Sequence, residues 1–232
     1  MSENYLPHPP EVLLILGTDA SGKNHVTNFI TEEMKKRGYE TEKRDGWFSK
    51  KPSDVVSSEG KGPMELMKEK VFLTTFPFTK YLMPALLYFL LRGDLAKFQK
   101  STKKVIVISH TALRILVFYL GHVCLREENI PMPRYLDKIL KEIVPRTGVK
   151  SIVLDIADEI RKKRIRRRME SGNADNFDLY MAKDRERSER IDSFLVWLGK
   201  KYLNAVVIEN NDPDDATLFS EISAAFARFR TS

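Results

Sequence analysis

Residues 12–23 read Val12-Leu13-Leu14-Ile15-Leu16-Gly17-Thr18-Asp19-Ala20-Ser21-Gly22-Lys23, an unbroken apolar run that ends in a glycine loop closed by a lysine. The apolar run reads as a buried strand. Beyond the loop, Val26, Phe29, Ile30 and Met34 recur at helical spacing, and Gly38 can stop that helix. Strand, loop and helix in this order, with G-x4-G-K spacing, form a phosphate-binding P-loop. Gly17 and Gly22 allow the tight backbone path, successive N–H groups and a helix N-terminus converge on the phosphates, and Lys23 adds a mobile cation. The plainer alternative is a glycine-rich turn with no ligand, and the flanking strand and helix weigh against it. The nucleotide-binding set is therefore Gly17, Thr18, Asp19, Ala20, Ser21, Gly22, Lys23, Asn24 and His25, with ATP and Mg²⁺ as the expected ligands.

Residue 24 departs from the pattern. P-loop enzymes carry a serine or threonine there whose hydroxyl coordinates Mg²⁺, whereas this chain has Asn24. An amide oxygen can ligate a hard cation, but with different reach, so weaker or differently organised metal binding is expected.

Composition sets the remaining bounds. A chain of 232 residues, 42% hydrophobic and 31% charged, can build one sizeable core, so one domain over residues 1–232 is expected, with a lid region around 161–185. A net charge of +7 favours anionic partners, nucleotides and phosphates as readily as nucleic acid. Cys124 is the only cysteine, so no intrachain disulfide can form. With no basic stretch and apolar core in residues 1–10, this points to a cytoplasmic protein. Two segments approach membrane length. Residues 71–91 are broken by Pro77, Lys80 and Pro84, and residues 105–125 contain His110 and Arg114, so buried helices and a strand are expected there, with no membrane partner.

Four further strand candidates follow the first: Tyr39 to Arg44, Val105 to Ser109, Ile152 to Ile156 and Ala205 to Glu209. The β-branched runs are continuous, not alternating, as in parallel strands covered on both faces. Apolar stripes at helical spacing separate them. Leu136, Ile139, Leu140 and Ile143 form one, bounded by Pro133 and Pro145. Ile191, Phe194, Leu195, Leu198 and Tyr202 form a second, and Leu218, Phe219, Ile222, Phe226 and Phe229 a third. Strands alternating with helices predict a doubly wound α/β fold with a five-stranded parallel sheet, whose ligand sits at the carboxyl ends of the strands, where Gly17 lies.

In this order the pieces resemble a P-loop kinase of the thymidylate kinase-like group, over about residues 11–230. The loop with its acidic third residue, Asp19, is similar to that family's, and Lys104 to Ser109 resembles its third strand. Val153 to Ile156 followed by Arg161 to Arg168 resembles the fourth strand and the arginine-bearing lid helix, and Asp184-Arg185-Glu186 the helix after the lid. The resemblance implies a P-loop NTPase fold with a helical lid, γ-phosphoryl transfer from ATP, and a place for Asp19 near the acceptor. It implies catalytic roles for Lys23, Asp19 and lid arginines among Arg164, Arg167 and Arg168, since Ala20 leaves the loop without an arginine.

The departures fall on the acceptor and metal groups. Family members follow the third strand with Asp-Arg, but here His110-Thr111 stands in that place, and Arg114 one helical turn on can replace the cation or simply face solvent. The family's Arg-Glu-Pro is at best Arg44-Asp45-Gly46, and Arg92 only loosely fits another acceptor-binding arginine. Asp19, Arg44, Arg92, His110 and Arg114 form the acceptor-site set, with a homodimer as a further expectation. Three functions compete: a kinase of a nucleoside monophosphate or of another phosphorylated small molecule, a nucleotide-binding regulatory protein that has lost catalysis, and a nucleic-acid binder using residues 161–168, seven of them basic. No aromatic residues interleave those charges, which argues against nucleic acid.

Overall fold

The computed structural model describes residues 9–44, 63–79, 81–100, 104–109, 111–124, 130, 132–211 and 214–231. Among them the strands β1 (Val12–Leu16), β2 (Thr41–Lys43), β3 (Val105–Ile108), β4 (Lys150–Asp155) and β5 (Val206–Glu209) make one sheet in the order β2-β3-β1-β4-β5. Every pairing is parallel, with Leu14 opposite Ile108 on one side and Ser151 on the other. β1 is central and buried along its whole length, as its uninterrupted apolar run requires.

Helices alternate with the strands: α1 (Lys23–Lys36), α2 (Pro63–Thr79), α3 (Met83–Lys97), α4 (Leu113–Val123), α5 (Arg134–Thr147), α6 (Asp158–Glu170), α7 (Asn176–Ala182), α8 (Arg185–Leu203) and α9 (Asp215–Thr231). The two faces of the sheet carry separate cores. Leu13 and Ile15 pack with Val26, Ile30, Met34, Ile222 and Phe226 of α1 and α9. Leu14 and Leu16 pack with Leu116, Leu140, Phe194 and Leu198 of α4, α5 and α8. A parallel five-stranded sheet covered on both faces, with the glycine loop between the central strand and the first helix, is the α/β fold of P-loop NTPases.

Two local expectations need correction. The sequence places the end of the fifth helix at Pro145, yet α5 runs through it to Thr147. Proline removes the backbone donor to the carbonyl four residues earlier and crowds it, but only two residues of α5 follow Pro145, so few helical hydrogen bonds lie beyond it. The segment 71–91 forms α2 and α3 as expected but is not buried throughout, since Phe78, Tyr81, Leu82 and Phe89 are between 70% and 84% exposed. No helix among the described residues is long and apolar enough to cross a membrane.

Candidate functional site

β1 delivers the chain into the glycine loop at the carboxyl edge of the sheet. Gly22 takes φ +85° at the N-cap of α1, a conformation that side chains other than hydrogen rarely adopt. Gly17 is required for space instead, because a Cβ there would strike the Ser21 hydroxyl and lie 2.9 Å from Lys23 Cγ. Lys23 is 8% exposed, and its Nζ donates to the carbonyls of Gly17 at 2.7 Å and Thr18 at 2.8 Å. The Ser21 hydroxyl is buried with no hydrogen-bond partner among the described residues. A buried ammonium, an unpaired hydroxyl and a helix N-terminus without a side-chain cap fit a polyphosphate, which would supply acceptor oxygens to all three.

Side chains from distant elements hold this loop in place. Asn210, one residue past β5, donates from Nδ2 to Ser21 O at 2.6 Å. Arg164 of α6 donates from Nη1 to Ala20 O at 3.0 Å and from Nη2 to Asn210 O at 2.9 Å, so α6 and the end of β5 clamp the loop together. Ala20 itself sits at φ 59°, strained for a residue with a Cβ, and its carbonyl is one of the groups this clamp fixes. Thr18 donates to Asp192 of α8 at 2.6 Å, and Asp192 also pairs with Arg161.

On the other side of the loop Asp19 forms an ion pair with Arg114, whose guanidinium lies 5.1 Å from the centre of the Phe177 ring. Arg114 is positioned from below. Buried Asp94 of α3 accepts the backbone N–H of Ala112 and pairs with Lys97 at 2.7 Å, which fixes the turn into α4; burial raises the Asp94 pKa against both of these interactions.

The lid arginines are not one solvated face. Arg161 is 2% exposed, Arg164 lies against the loop, and Arg168 donates to both oxygens of fully buried Asp178 at 3.0 Å. Burial raises the Asp178 pKa, the Asp175 charge adds to the rise, and Arg168 opposes it. Asp178 also closes a capping box with Asp175 at the start of α7, so Arg168 ties α6 to α7. Arg167 alone of the three proposed catalytic arginines is fully on the exposed side.

The structure thus brings Gly17 to Lys23, Asp19, Arg114 and Arg164 together. Asn24 and His25 are exposed in the first turn of α1. Arg44 is engaged elsewhere, donating to Lys97 O at 2.7 Å and Gln99 O at 2.8 Å and pairing with Glu42, which fastens the end of β2 to the end of α3. Arg92 is exposed on α3, over the Tyr88 ring. His110 lies outside the described residues. Among those residues no group of three His, Cys, Asp or Glu side chains is placed to hold a metal ion. Asn24 therefore remains the sequence's candidate metal ligand, with bound phosphates as the natural source of further oxygens. Asn210 escapes a reading by motif, although its place just past the carboxyl end of a strand was a legible signal. Asp192, in the middle of a long helix, gave no signal.

No protein-family model matches the chain, and no match is found among curated proteins. Solved structures do match. A deoxyadenosine kinase from M. mycoides with bound dATP is 16% identical, covering 93% of this chain and 99% of that one at a TM-score of 0.48. Polyphosphate kinase 2 from Arthrobacter aurescens TC1 is 13% identical, covering 96% of this chain and 68% of that one at a TM-score of 0.48. The fold assignment stands on this chain's own strand order and loop.

Proposed function

We propose that the protein is an ATP-dependent phosphotransferase that moves the γ-phosphoryl group to a nucleoside monophosphate, in the manner of the thymidylate kinase-like group. The observation that carries the reading is the buried Lys23 ammonium inside a glycine loop over which Arg164 is already clamped. Phosphoryl transfer asks for positioning and charge neutralisation more than for covalent groups. Lys23 and the loop amides hold the β- and γ-phosphates, Arg164 stands beside the loop, and Asp19 with Arg114 faces the acceptor. Bound Mg²⁺ would neutralise charge on the β- and γ-oxygens, with Asn24 as its side-chain ligand.

A second reading, a nucleotide-binding regulatory protein, is favoured by Asn24 and His110, which both stand where metal-site groups are expected. A thermal-shift panel of nucleoside monophosphates, each with and without ATP and Mg²⁺, tests the site, because a specific ligand raises the melting temperature by mass action. Steady-state ADP release with the same acceptors separates the two readings: the kinase reading expects release that depends on one acceptor, and binding without release supports the regulatory one.

The metal site is expected to improve on Asn24→Thr. A hydroxyl at that position restores the usual Mg²⁺ ligand, so the Mg²⁺ concentration for half-maximal ATP binding should fall several-fold; no change would place the metal on other residues.

A homodimer is the oligomeric state that the exposed face of α2 and α3 supports. Phe78, Tyr81 and Phe89 are 84%, 81% and 70% exposed there, and three aromatics of about 150–250 Å² each supply a large part of the roughly 800 Å² per partner that a stable interface needs. Sedimentation equilibrium at micromolar concentration is expected to give twice the chain mass of 26.8 kDa, and a single-chain mass would dismiss it.

A further inference from the structure

Asp192 is a carboxylate that the proposed chemistry does not use, yet it touches the phosphate loop. Its Oδ1 accepts the Thr18 hydroxyl at 2.6 Å, and its Oδ2 pairs with Arg161. The three residues come from the loop, from the first turn of α6 and from the middle of α8. Arg161 is 2% exposed, and its Nε and Nη1 have no partner among the described residues, so among those residues Asp192 is the carboxylate that pairs with this buried guanidinium. Thr18 is also one of the two carbonyls that receive the Lys23 ammonium. A displacement of Thr18 therefore moves the acceptor that holds Lys23.

We infer that Asp192 is a positioning residue for nucleotide binding: as a carboxylate it fixes Thr18 through the hydroxyl and Arg161 through the guanidinium, and so holds the loop and the lid helix in mutual register. The inference rests on the reading of residues 17–23 as a nucleotide site.

The protonation state of Asp192 then matters within an accessible range. Burial pushes its pKa up to about 6 from an ordinary 3.8, against the opposing pull of Arg161 and the Thr18 hydroxyl. Asp155, at the end of β4, adds a like charge to the rise. Because the folded-state value is raised, protonation favours the folded chain: this group makes stability rise as pH falls from above 6 towards 4. Ionised Asp192 is thus kept at a cost in stability, and the tie to Thr18 and Arg161 is what that charge provides. Asparagine at this position imitates the protonated form, which loses the charge-assisted bond but keeps the shape.

The test is ATP affinity of the full-length protein by calorimetry between pH 5 and 8, in the wild type and in Asp192→Asn, at fixed Mg²⁺. The wild type is expected to bind about tenfold more tightly above pH 7, the scale of one charge-assisted hydrogen bond. The ratio should shrink to unity near pH 5, and a melting curve at each pH shows that the Asn variant, which leaves the buried Arg161 guanidinium without its carboxylate, is folded where it is compared. Ligand protonation cancels in that ratio. Thr18→Val should show a similar loss, Thr18→Ser should restore binding, and the Thr18→Val, Asp192→Asn double variant should be no worse than either single one, as two halves of one interaction require. Thr18→Val carries the comparison if Asp192→Asn does not fold. Equal affinity of wild type and Asp192→Asn at every pH, or strictly additive losses, would overturn the inference. Lys23→Ala in the same assay separates the two levels: wild-type binding that is lost in Lys23→Ala but unmoved in Asp192→Asn sinks only the positioning role, and wild-type binding that ignores Lys23 sinks the site and with it the inference.

Discussion

Lys23→Ala is expected to abolish turnover and to weaken ATP binding roughly 10- to 100-fold, the scale of a lost charge-assisted hydrogen bond of about 1.5–3 kcal/mol. The ammonium is 8% exposed and enclosed by the loop it serves, donating to the carbonyls of Gly17 and Thr18. In that setting water does not take over the charge when the side chain is removed, and its attraction for phosphate is screened little. Turnover suffers more than binding, because the charge that develops on the transferring group needs the cation most. Calorimetry for affinity and coupled ADP release for rate measure the two effects separately, with a melting curve to show that the variant folds. Unchanged affinity together with unchanged rate would remove the basis for a nucleotide site at residues 17–23.

The second large effect distinguishes arginines that look alike in sequence. Arg164→Ala is expected to lower turnover by about 10³-fold or more, near 4 kcal/mol of transition-state stabilisation. Of Arg164, Arg167 and Arg168, its guanidinium is the one that hydrogen-bonds the loop directly, on Ala20 O, and it also reaches Asn210 O. Arg168→Ala should act mainly on stability. It strips the charged partner from fully buried Asp178, which among the described residues keeps only the Asp175 N–H, and a buried carboxylate without its cation costs about 3 kcal/mol, or roughly 6–12 °C in melting temperature for a chain of this size. Arg167→Ala, on the exposed side, should change stability by no more than about 0.5 kcal/mol. A large rate loss in Arg167→Ala with a normal rate in Arg164→Ala would make the exposed arginine the one that reaches the phosphoryl group. Near-normal turnover in all three would place the catalytic cation on another residue.

The sequence of strands and the position of the loop were legible because they depend on local pattern. The apolar run at 12 and the continuous β-branched runs at 105, 152 and 205 read as strands covered on both faces, which holds for β1 and β3 but not for the half-exposed β5, and the glycine spacing at 17 and 22 meets backbone demands that few other residues can. Even the weak second strand, expected over 39–44 and found at Thr41–Lys43, followed from its place between a helix and the next apolar run. Pro145 misled because proline signals a break without saying how close to the helix end it falls.

What the residues around the loop do was decided elsewhere. The run from Arg161 to Arg168 is nearly uniform in sequence, and helical spacing sorts it into faces without saying what each face meets. Only the packing of α6 against the loop, α7 and α8 gives Arg161 to Asp192, Arg164 to Ala20 and Asn210, and Arg168 to Asp178. Arg44 shows the reverse case, a cation expected at the acceptor that the end of α3 takes up instead through two backbone carbonyls. The sequence by itself determined the strands, the loop and the lysine, since each follows from a pattern within a few residues, whereas the order of the strands joins residues as far apart as Leu13 and Lys150. The partners of the charged side chains were decided by the tertiary structure, because a long side chain has many acceptors within reach and the chain must fold before any one of them is near.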